Sequence, residues 1–148
     1  MPAANTSAPF PKILVCTDGS EIAQKAVEYA ADFAKNYKAD LTVMYVIDHE
    51  TSMKRPVYDK YGDKTHKAKE VLKEATNTIE QRAGGETQVT ERIAVGPVSR
   101  EIVRIAKTEG FENIVIGTRG LGGLVRMLLG SVAEDVMLYA HCPVVVVR

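Results

Sequence analysis

The chain has 148 residues, which is the size of one ordinary domain and long enough to bury a core without disulfide staples. Its composition is that of a globular protein, with 45% hydrophobic and 26% charged residues, and 19 basic residues balance 19 acidic ones. This charge balance argues against a general nucleic-acid binder and against a polybasic membrane anchor.

The first eleven residues, MPAANTSAPFP, contain three prolines, so we expect residues 1–11 to form a flexible leader before a domain at 12–148. They have neither the basic region nor the apolar core of a secretory signal. The longest uninterrupted aliphatic run, at 144–147, is far below the roughly 18 apolar residues that span a bilayer. We therefore expect a cytoplasmic protein that does not enter a membrane.

The first half of the chain predicts two strands and a helix, followed by a loop. Residues 13–16 are a short apolar run, which predicts a buried strand, and residues 17–20 (TDGS) are typical of a helix start. Apolar residues then recur at helical spacing to about Tyr37. Residues 41–47 are apolar on both faces, as in a buried parallel strand. Residues 48–63 are polar and contain a proline and a glycine, so we expect a loop there.

The middle of the chain predicts a helix, a strand and a further helix. The apolar spacing of residues 68–79 indicates a second helix, which ends before Gly84. Residues 87–95 are mostly polar and predict a half-exposed strand at a sheet edge. Gly96 and Pro97 open a third helix, with Pro97 at the first helical position, where its missing N–H costs nothing.

The last part of the chain completes a regular alternation of strands and helices. Residues 113–117 predict a fourth strand and residues 143–147 a fifth. Between them a glycine-rich loop leads to a fourth helix, where Ser131 and Glu134 have the spacing of a capping box. The alternation predicts an α/β fold: a single-domain, Rossmann-like, three-layer α/β/α structure around a five-stranded parallel sheet.

Two strand orders are common for such a sheet, and the polarity of the third strand distinguishes them. The order 2-1-3-4-5 places strand three in the centre, whereas 3-2-1-4-5 places it at an edge. Because strand three is the most polar, we favour 3-2-1-4-5. The valine run at 144–147 then forms the other edge, covered by a helix of the same chain or paired with a second copy. In this order Cys16 and Cys142 lie at opposite ends of non-adjacent strands, so we expect free thiols.

Ligands of open α/β sheets bind beyond the carboxyl ends of the strands, where the strand order reverses. Here the reversal lies between strands one and four, whose loops are residues 17–20 and 117–123. A glycine-rich loop that runs into a helix start presents backbone N–H groups to an anion. Ser131 could bind a phosphate oxygen or cap the helix, and Asp18 could serve a ligand or be a helix N-cap. The patterns of a P-loop and of a dinucleotide fingerprint are both missing.

The loop carries the pattern Gly117-x2-Gly120-x9-Gly130-Ser131, and on this pattern the sequence resembles the universal stress protein family, in its ATP-binding branch. The strand-one ending at 17–18, the strand-two ending at 45–48, Gly96-Pro97 and the terminal segment at 142–147 also match, and the resemblance covers residues 11–148. It implies a universal stress protein domain with strand order 3-2-1-4-5. It also implies a homodimer through strand five, at Val144, Val145, Val146 and Val147.

The same resemblance implies a site for ATP, or for ADP or AMP, carried with Mg²⁺. The end of strand one would line the adenosine and phosphates, and the main chain of Val46 would bind the adenine edge. Residues 117–123 would wrap the ribose and phosphates, and residues 130–132 would supply N–H and hydroxyl donors to the phosphates. Asp18 would orient a ribose hydroxyl or approach Mg²⁺, and the metal ligands stay unassigned. The implied binding residues are Cys16, Thr17, Asp18, Val46, Gly117, Thr118, Arg119, Gly120, Leu121, Gly122, Gly123, Gly130, Ser131 and Val132.

Other charged residues have weaker claims to a role. Arg119 and Arg126 flank the glycine loop and could neutralise a phosphate, although loop arginines are commonly only solvated. His49 with its acidic neighbours is a weak metal candidate. The basic segment at 50–70 could cover the nucleotide, contact nucleic acid or form a solvated loop and helix face.

Three functional hypotheses follow. The first is a homodimeric stress-response regulator that binds an adenine nucleotide, hydrolyses it weakly if at all, and acts on an unidentified protein partner. The second is a weak Mg²⁺-dependent ATPase or nucleotidyl-transfer enzyme on the same fold, whose turnover Asp18→Ala would abolish. The third is a structural dimer with a vestigial pocket, which the intact glycine pattern disfavours.

Overall fold

A computed structural model describes residues 11–48, 62–119 and 129–148 of the chain. Within these residues five strands alternate with four helices, which confirms the predicted α/β fold. The elements are β1 Lys12–Cys16, α1 Glu21–Tyr37, β2 Asp40–Asp48, α2 Gly62–Ala83, β3 Val89–Gly96, α3 Val98–Thr108, β4 Asn113–Gly117, α4 Ser131–Tyr139 and β5 Val144–Val147. The strands pair in parallel in the order β3-β2-β1-β4-β5, as predicted.

The central strands are apolar on both faces because helices cover both sides of the sheet. On β1, Ile13 and Val15 pack with residues of α1 and α2. The alternate residues Leu14 and Cys16 pack with α3 and α4 on the opposite face. The two resulting cores lie on opposite faces of the sheet, and the loops that follow β1 and β4 each begin at the end of a buried strand.

The two sheet edges differ in charge. At one edge β3 exposes Thr90 and Glu91, as the polarity of this segment predicted. A charged edge strand resists pairing with another chain. At the other edge β5 consists of four half-buried valines. Their side chains pack under the flanking helices, two against each core, so helices of the same chain cover the faces of β5.

Several element boundaries differ from the sequence predictions. The predicted loop at 48–63 is too long at both ends: Asp48 continues β2 because it pairs with Gly96, and α2 already begins at Gly62. Asp63 in the first turn of α2 favours this earlier start through the helix dipole. Pro97 is the N-cap of α3 and not its first helical residue, because its backbone is extended (ψ 123°). Its carbonyl accepts the first hydrogen bond of the helix, from the Glu101 N–H at 2.9 Å.

The second helix ends as predicted. It stops at Ala83, and Gly84 follows with φ +76° while its N–H donates to the Glu80 carbonyl at 3.0 Å. Glycine adopts this left-handed conformation without the strain of a Cβ. None of the helices in the described ranges is long and apolar enough to cross a membrane.

A bidentate ion pair links α1 to α2 and gives stability a pH dependence. Arg82 donates from Nε to Asp32 Oδ1 at 3.1 Å and from Nη2 to Asp32 Oδ2 at 2.8 Å, and these bonds hold the pKa of Asp32 below its usual value. A carboxyl whose pKa falls on folding stabilises the fold above its unfolded pKa, near 4, and loses that contribution as pH falls through the folded pKa. We expect Arg82→Gln to lower the melting temperature at pH 7 and to have a smaller effect at pH 3, because that pH lies below the unfolded pKa of Asp32. A difference that persists unchanged at pH 3 would contradict the assignment.

Candidate functional site

Because the strand order reverses between β1 and β4, these two strands are neighbours, and the β1–α1 loop lies beside the end of β4. Val15 pairs with Val115, so the residues that follow these strands leave the sheet side by side. Thr17 and Thr118 are both almost fully buried, at 7% and 6% exposure. The predicted site residues at the ends of β1 and β4 therefore lie side by side at the carboxyl ends of these strands.

The β1–α1 loop is held by its own side chains. Asp18 Oδ1 accepts the Ser20 N–H at 2.9 Å, Thr17 Oγ1 accepts the Gly19 N–H at 3.2 Å, and Gly19 has φ +85°. Ser20, and not Asp18, is the N-cap of α1, because its Oγ accepts the Ala23 N–H at 3.2 Å. The hypothesis that Asp18 is the N-cap is therefore wrong. Its carboxylate stabilises the turn before the helix through the bond to Ser20.

The start of α4 differs from the predicted capping box. Gly130 is the N-cap, and it forms no side-chain cap bond. Its N–H donates to the Thr118 carbonyl, and its own carbonyl accepts the Glu134 N–H at 3.0 Å. Ser131 is therefore the first helical residue, so the cap reading of its hydroxyl is wrong. The Ser131 side chain is exposed in the first turn, where backbone N–H groups have no acceptor within the helix.

Two glycines of the motif lie where a Cβ has no space. A Cβ on Gly117 would be 2.8 Å from Ile22 Cγ2 and 3.3 Å from the Ile22 backbone carbonyl. A Cβ on Gly130 would be 3.0 Å from the Thr118 carbonyl oxygen. Gly117 thus lets the first turn of α1 pack on β4, and Gly130 lets α4 pack on the loop after β4. Part of the motif is explained by packing alone.

The strand β2 extends past the end of β1, so some of its backbone groups lie beside the candidate site. The pairing of β1 with β2 ends at Cys16 and Met44, and the Thr17 N–H donates to the Met44 carbonyl at 3.0 Å. In a parallel strand alternate residues direct their N–H and C=O to the same side. Val46 therefore directs both groups to the side of Met44, past the last paired residue of β1.

Tyr45 was missed by the sequence analysis of the site. Burial and, to a smaller extent, the negative charge of Asp18 raise the pKa of its phenol. The sequence could have indicated this position. Side chains alternate between the two faces of a strand, so Tyr45, which precedes Val46 on β2, lies on the face covered by α1 and α2. It adds an aromatic ring with a polar tip beside the Asp18 carboxylate.

Some predicted residues lie outside the described ranges: Gly120, Leu121, Gly122, Gly123, Arg126, His49 and most of the segment at 48–65. Arg119 is half-buried directly after Thr118, and Val132 packs against the core formed with α3 and α4. Among the described residues no group of three or more His, Cys, Asp and Glu has an arrangement suited to a metal ion.

A cavity of about 410 Å³ adjoins the β1–α1 loop on the side of α1 and α2. Its walls combine that loop with polar side chains of the two helices. It is lined by Thr17, Gly19, Ser20, Glu21, Gln24, Lys25, Glu28, Val71 and Glu74. Because it shares only Thr17 with the predicted site residues, this cavity lies next to the candidate site and does not coincide with it.

The two cysteines are free and differ in environment. Burial raises the pKa of Cys16 to about 12, whereas Cys142 is only half-buried, with a smaller rise in pKa from the same cause. The thiolate is the reactive form. We expect iodoacetamide at pH 8 to alkylate Cys142 well before Cys16 in the native protein and both equally in denaturant, as followed by peptide mass spectrometry. Faster modification of Cys16 in the native state would contradict its burial.

These features define a Rossmann-like α/β protein in which the end of β1, the end of β4 and the start of α4 lie together at the carboxyl ends of the strands. The family model described as the universal stress protein family matches residues 9–148, and the chain belongs to this family. It is 35% identical to the universal stress protein YxiE of Bacillus subtilis, over 94% of this chain and 99% of that protein. It is 34% identical to the universal stress protein MJ0531 of Methanocaldococcus jannaschii, over 94% of this chain and 82% of that protein.

Solved structures of the family share this fold. The chain is similar to the universal stress protein UspA from Lactobacillus plantarum, with a TM-score of 0.83 and 27% identity over 96% of this chain and all of that one. A universal stress protein in complex with cAMP has a TM-score of 0.75 and 27% identity, covering 94% and 97% of the two chains. The universal stress protein of Archaeoglobus fulgidus in complex with dAMP has a TM-score of 0.73 and 25% identity, covering 94% and 98%.

Proposed function

We propose that the protein binds an adenine nucleotide, with ATP and its Mg²⁺ as the physiological form, and acts as a homodimeric cytoplasmic regulator of a stress response. The observation that carries the proposal is the start of α4, where the N-cap Gly130 bonds to Thr118 directly after β4, has no side-chain cap, and is followed by the exposed Ser131. Such a helix start attracts phosphate through its N–H groups and its dipole. The family relatives bound to cAMP and dAMP support adenine as the base.

The described residues fit the parts of such a ligand. The outward N–H and C=O of Val46 match the donor and acceptor edge of adenine, which needs one of each. Thr17 and Asp18 lie between this position and β4, where a ribose would join base to phosphate. The N–H groups of Ser131 and Val132 and the Ser131 hydroxyl would receive the phosphates. When bound, Mg²⁺ would offset phosphate charge, and the Asp18 carboxylate would either approach it or orient a ribose hydroxyl.

The second copy in this proposal pairs along β5. The Ile114 N–H donates to the Pro143 carbonyl at 3.0 Å and the Thr118 N–H to the Val147 carbonyl at 2.8 Å, so the odd-numbered residues of β5 bond to β4. By alternation Val144 and Val146 direct their N–H and C=O outward. A two-fold axis perpendicular to the sheet would pair these groups with their copies in antiparallel register. The uncharged β5 edge suits this pairing, and the charged β3 edge does not.

In this proposal, whether nucleotide is bound determines how the protein interacts with a protein partner. Nothing in the described residues specifies the surface that this partner would contact. In this proposal any hydrolysis of the bound ATP is weak.

The variant Ser131→Ala tests the phosphate end of the proposed site. Because Ser131 is not the helix cap, its loss should leave the melting temperature of the unliganded protein within about 1 °C. A hydrogen bond to a charged group contributes about 1.5–3 kcal/mol, so calorimetric titration should show ATP bound roughly 10- to 100-fold more weakly. Adenosine, which has no phosphate, is the matched ligand control and should bind the variant and the wild type equally.

The two ligands separate the possible failures. Equal ATP affinity in Ser131→Ala and wild type would contradict a phosphate contact at α4. Weaker binding of both ATP and adenosine would show a general distortion of the site. Wild-type protein that binds neither ligand would contradict the proposed function itself.

A further inference from the structure

The start of α4 and the end of β5 are joined through one buried residue. Thr118 donates its N–H to the Val147 carbonyl at 2.8 Å, and its own carbonyl accepts the N–H of Gly130, the N-cap of α4. Its exposure is 6%, so solvent water competes little for these bonds. Two consecutive backbone hydrogen bonds therefore connect the N-cap of α4 to the end of β5.

Side-chain packing makes a second, independent connection. Val132, in the first turn of α4, packs against the same core as Val144 and Val146 of β5. Gly130 is in tight contact with the loop, since a Cβ there would be 3.0 Å from the Thr118 oxygen and 3.5 Å from Arg119 Cα. Close-packed contacts of this kind transmit displacement because the interior has little free volume. The first turn of α4 and the edge strand therefore form one packed unit.

We infer that nucleotide binding at the start of α4 strengthens the association of two copies along β5, with Thr118 as the link. This inference rests on the proposed function, which supplies both the nucleotide and the β5 dimer. Phosphate groups bound to the first turn of α4 order that turn, and through Thr118 they hold the Val147 end of β5 in its extended conformation. The second copy then binds a strand that is already ordered, so association costs less conformational entropy.

The linkage gives a quantitative expectation. Coupling between two sites typically changes affinity by about 5- to 150-fold, so we expect saturating Mg-ATP to lower the dimer dissociation constant by roughly 10-fold. Because each dimer holds two nucleotides, the same linkage requires each site to bind ATP about 3-fold more tightly in the dimer than in the monomer. Adenosine does not reach the start of α4 with a phosphate and should leave dimerisation nearly unchanged.

The test measures dimerisation of the full chain without ligand, with Mg-ATP and with adenosine. Sedimentation velocity over a dilution series gives the dissociation constant, and subunit exchange between donor- and acceptor-labelled copies covers a dimer too tight to dilute apart. We expect ATP, and not adenosine, to lower the constant or slow the exchange. ATP that binds without changing either quantity would overturn the inference and leave nucleotide binding standing. ATP that does not bind, or a chain that stays monomeric, would overturn the inference together with the proposed function.

A variant tests the link without any ligand. Gly130→Ala places a methyl group against the Thr118 oxygen, so it should displace Thr118 and weaken the unliganded dimer several-fold. Gly85→Ala is the matched control, because a Cβ at Gly85 meets nothing within 4 Å. If Gly130→Ala stays folded, as judged by its circular dichroism, and dimerises like Gly85→Ala, the link through Thr118 is wrong. If Gly130→Ala does not fold, the ATP and adenosine comparison on the wild type decides alone.

Discussion

Val146→Pro should turn the proposed dimer into a monomer without unfolding it. The Val146 N–H points outward from β5, so proline removes a hydrogen-bond donor of the edge and no bond to β4. The two-fold axis doubles the loss, and the proline ring occupies the space of the partner strand. Two lost hydrogen bonds contribute about 1–3 kcal/mol, and with the steric term we expect dimerisation to weaken roughly 100-fold or more, as measured by sedimentation velocity.

Val146→Ala is the matched control for this variant. Both substitutions remove the packing of the valine side chain against the core, but alanine keeps the N–H. The alanine variant should lose some thermal stability and still dimerise. If both variants dimerise like the wild type, β5 is not the contact between copies. If both are monomeric, side-chain packing and not edge pairing holds the dimer.

Gly117→Ala should destabilise the fold by about 1–3 kcal/mol, the usual cost of overpacking a core. The added methyl would be 2.8 Å from Ile22 Cγ2 and 3.3 Å from the Ile22 backbone, which α1 holds in place. For a domain of this length the change corresponds to a fall in melting temperature of roughly 2–12 °C. Gly85→Ala should change the melting temperature far less, because its methyl group points into open space.

Thermal unfolding of these two variants without ligand separates packing from nucleotide binding. A large loss in Gly117→Ala without nucleotide would show that the first glycine of the motif has a structural role of its own. An unchanged melting temperature would contradict the close contact between α1 and β4. It would then leave ligand approach as the reason for glycine at this position.

The sheet order was predictable because polarity differs strongly among the strands. The polar segment that became β3 could not occupy a sheet centre, and the valine run of β5 could not be a solvated loop. Boundaries were less predictable where pairing overrides composition. Asp48 is polar, yet it extends β2 because β3 supplies a partner at Gly96. Nothing local to Asp48 indicates that partner.

The strand order places the candidate site between β1 and β4, and that placement followed from the sequence, but the roles of single side chains did not. Asp18, Ser20 and Ser131 are all residue types that favour helix caps, so spacing alone could not decide which of them caps a helix. The decision depends on long-range contacts. Gly130 becomes the cap of α4 because its N–H bonds to Thr118, twelve positions earlier in the chain. The packing role of Gly117 likewise depends on Ile22, a neighbour only in the fold.

Calorimetric titration of the purified full chain with Mg-ATP tests the central claim most directly. The protein should first be denatured in a separate aliquot and its released small molecules identified by mass, so that nucleotide retained from expression is counted. We expect saturable binding that, added to any retained nucleotide, reaches one adenine nucleotide per chain. A folded protein that releases no nucleotide and shows neither heat nor a melting shift with millimolar Mg-ATP would contradict it.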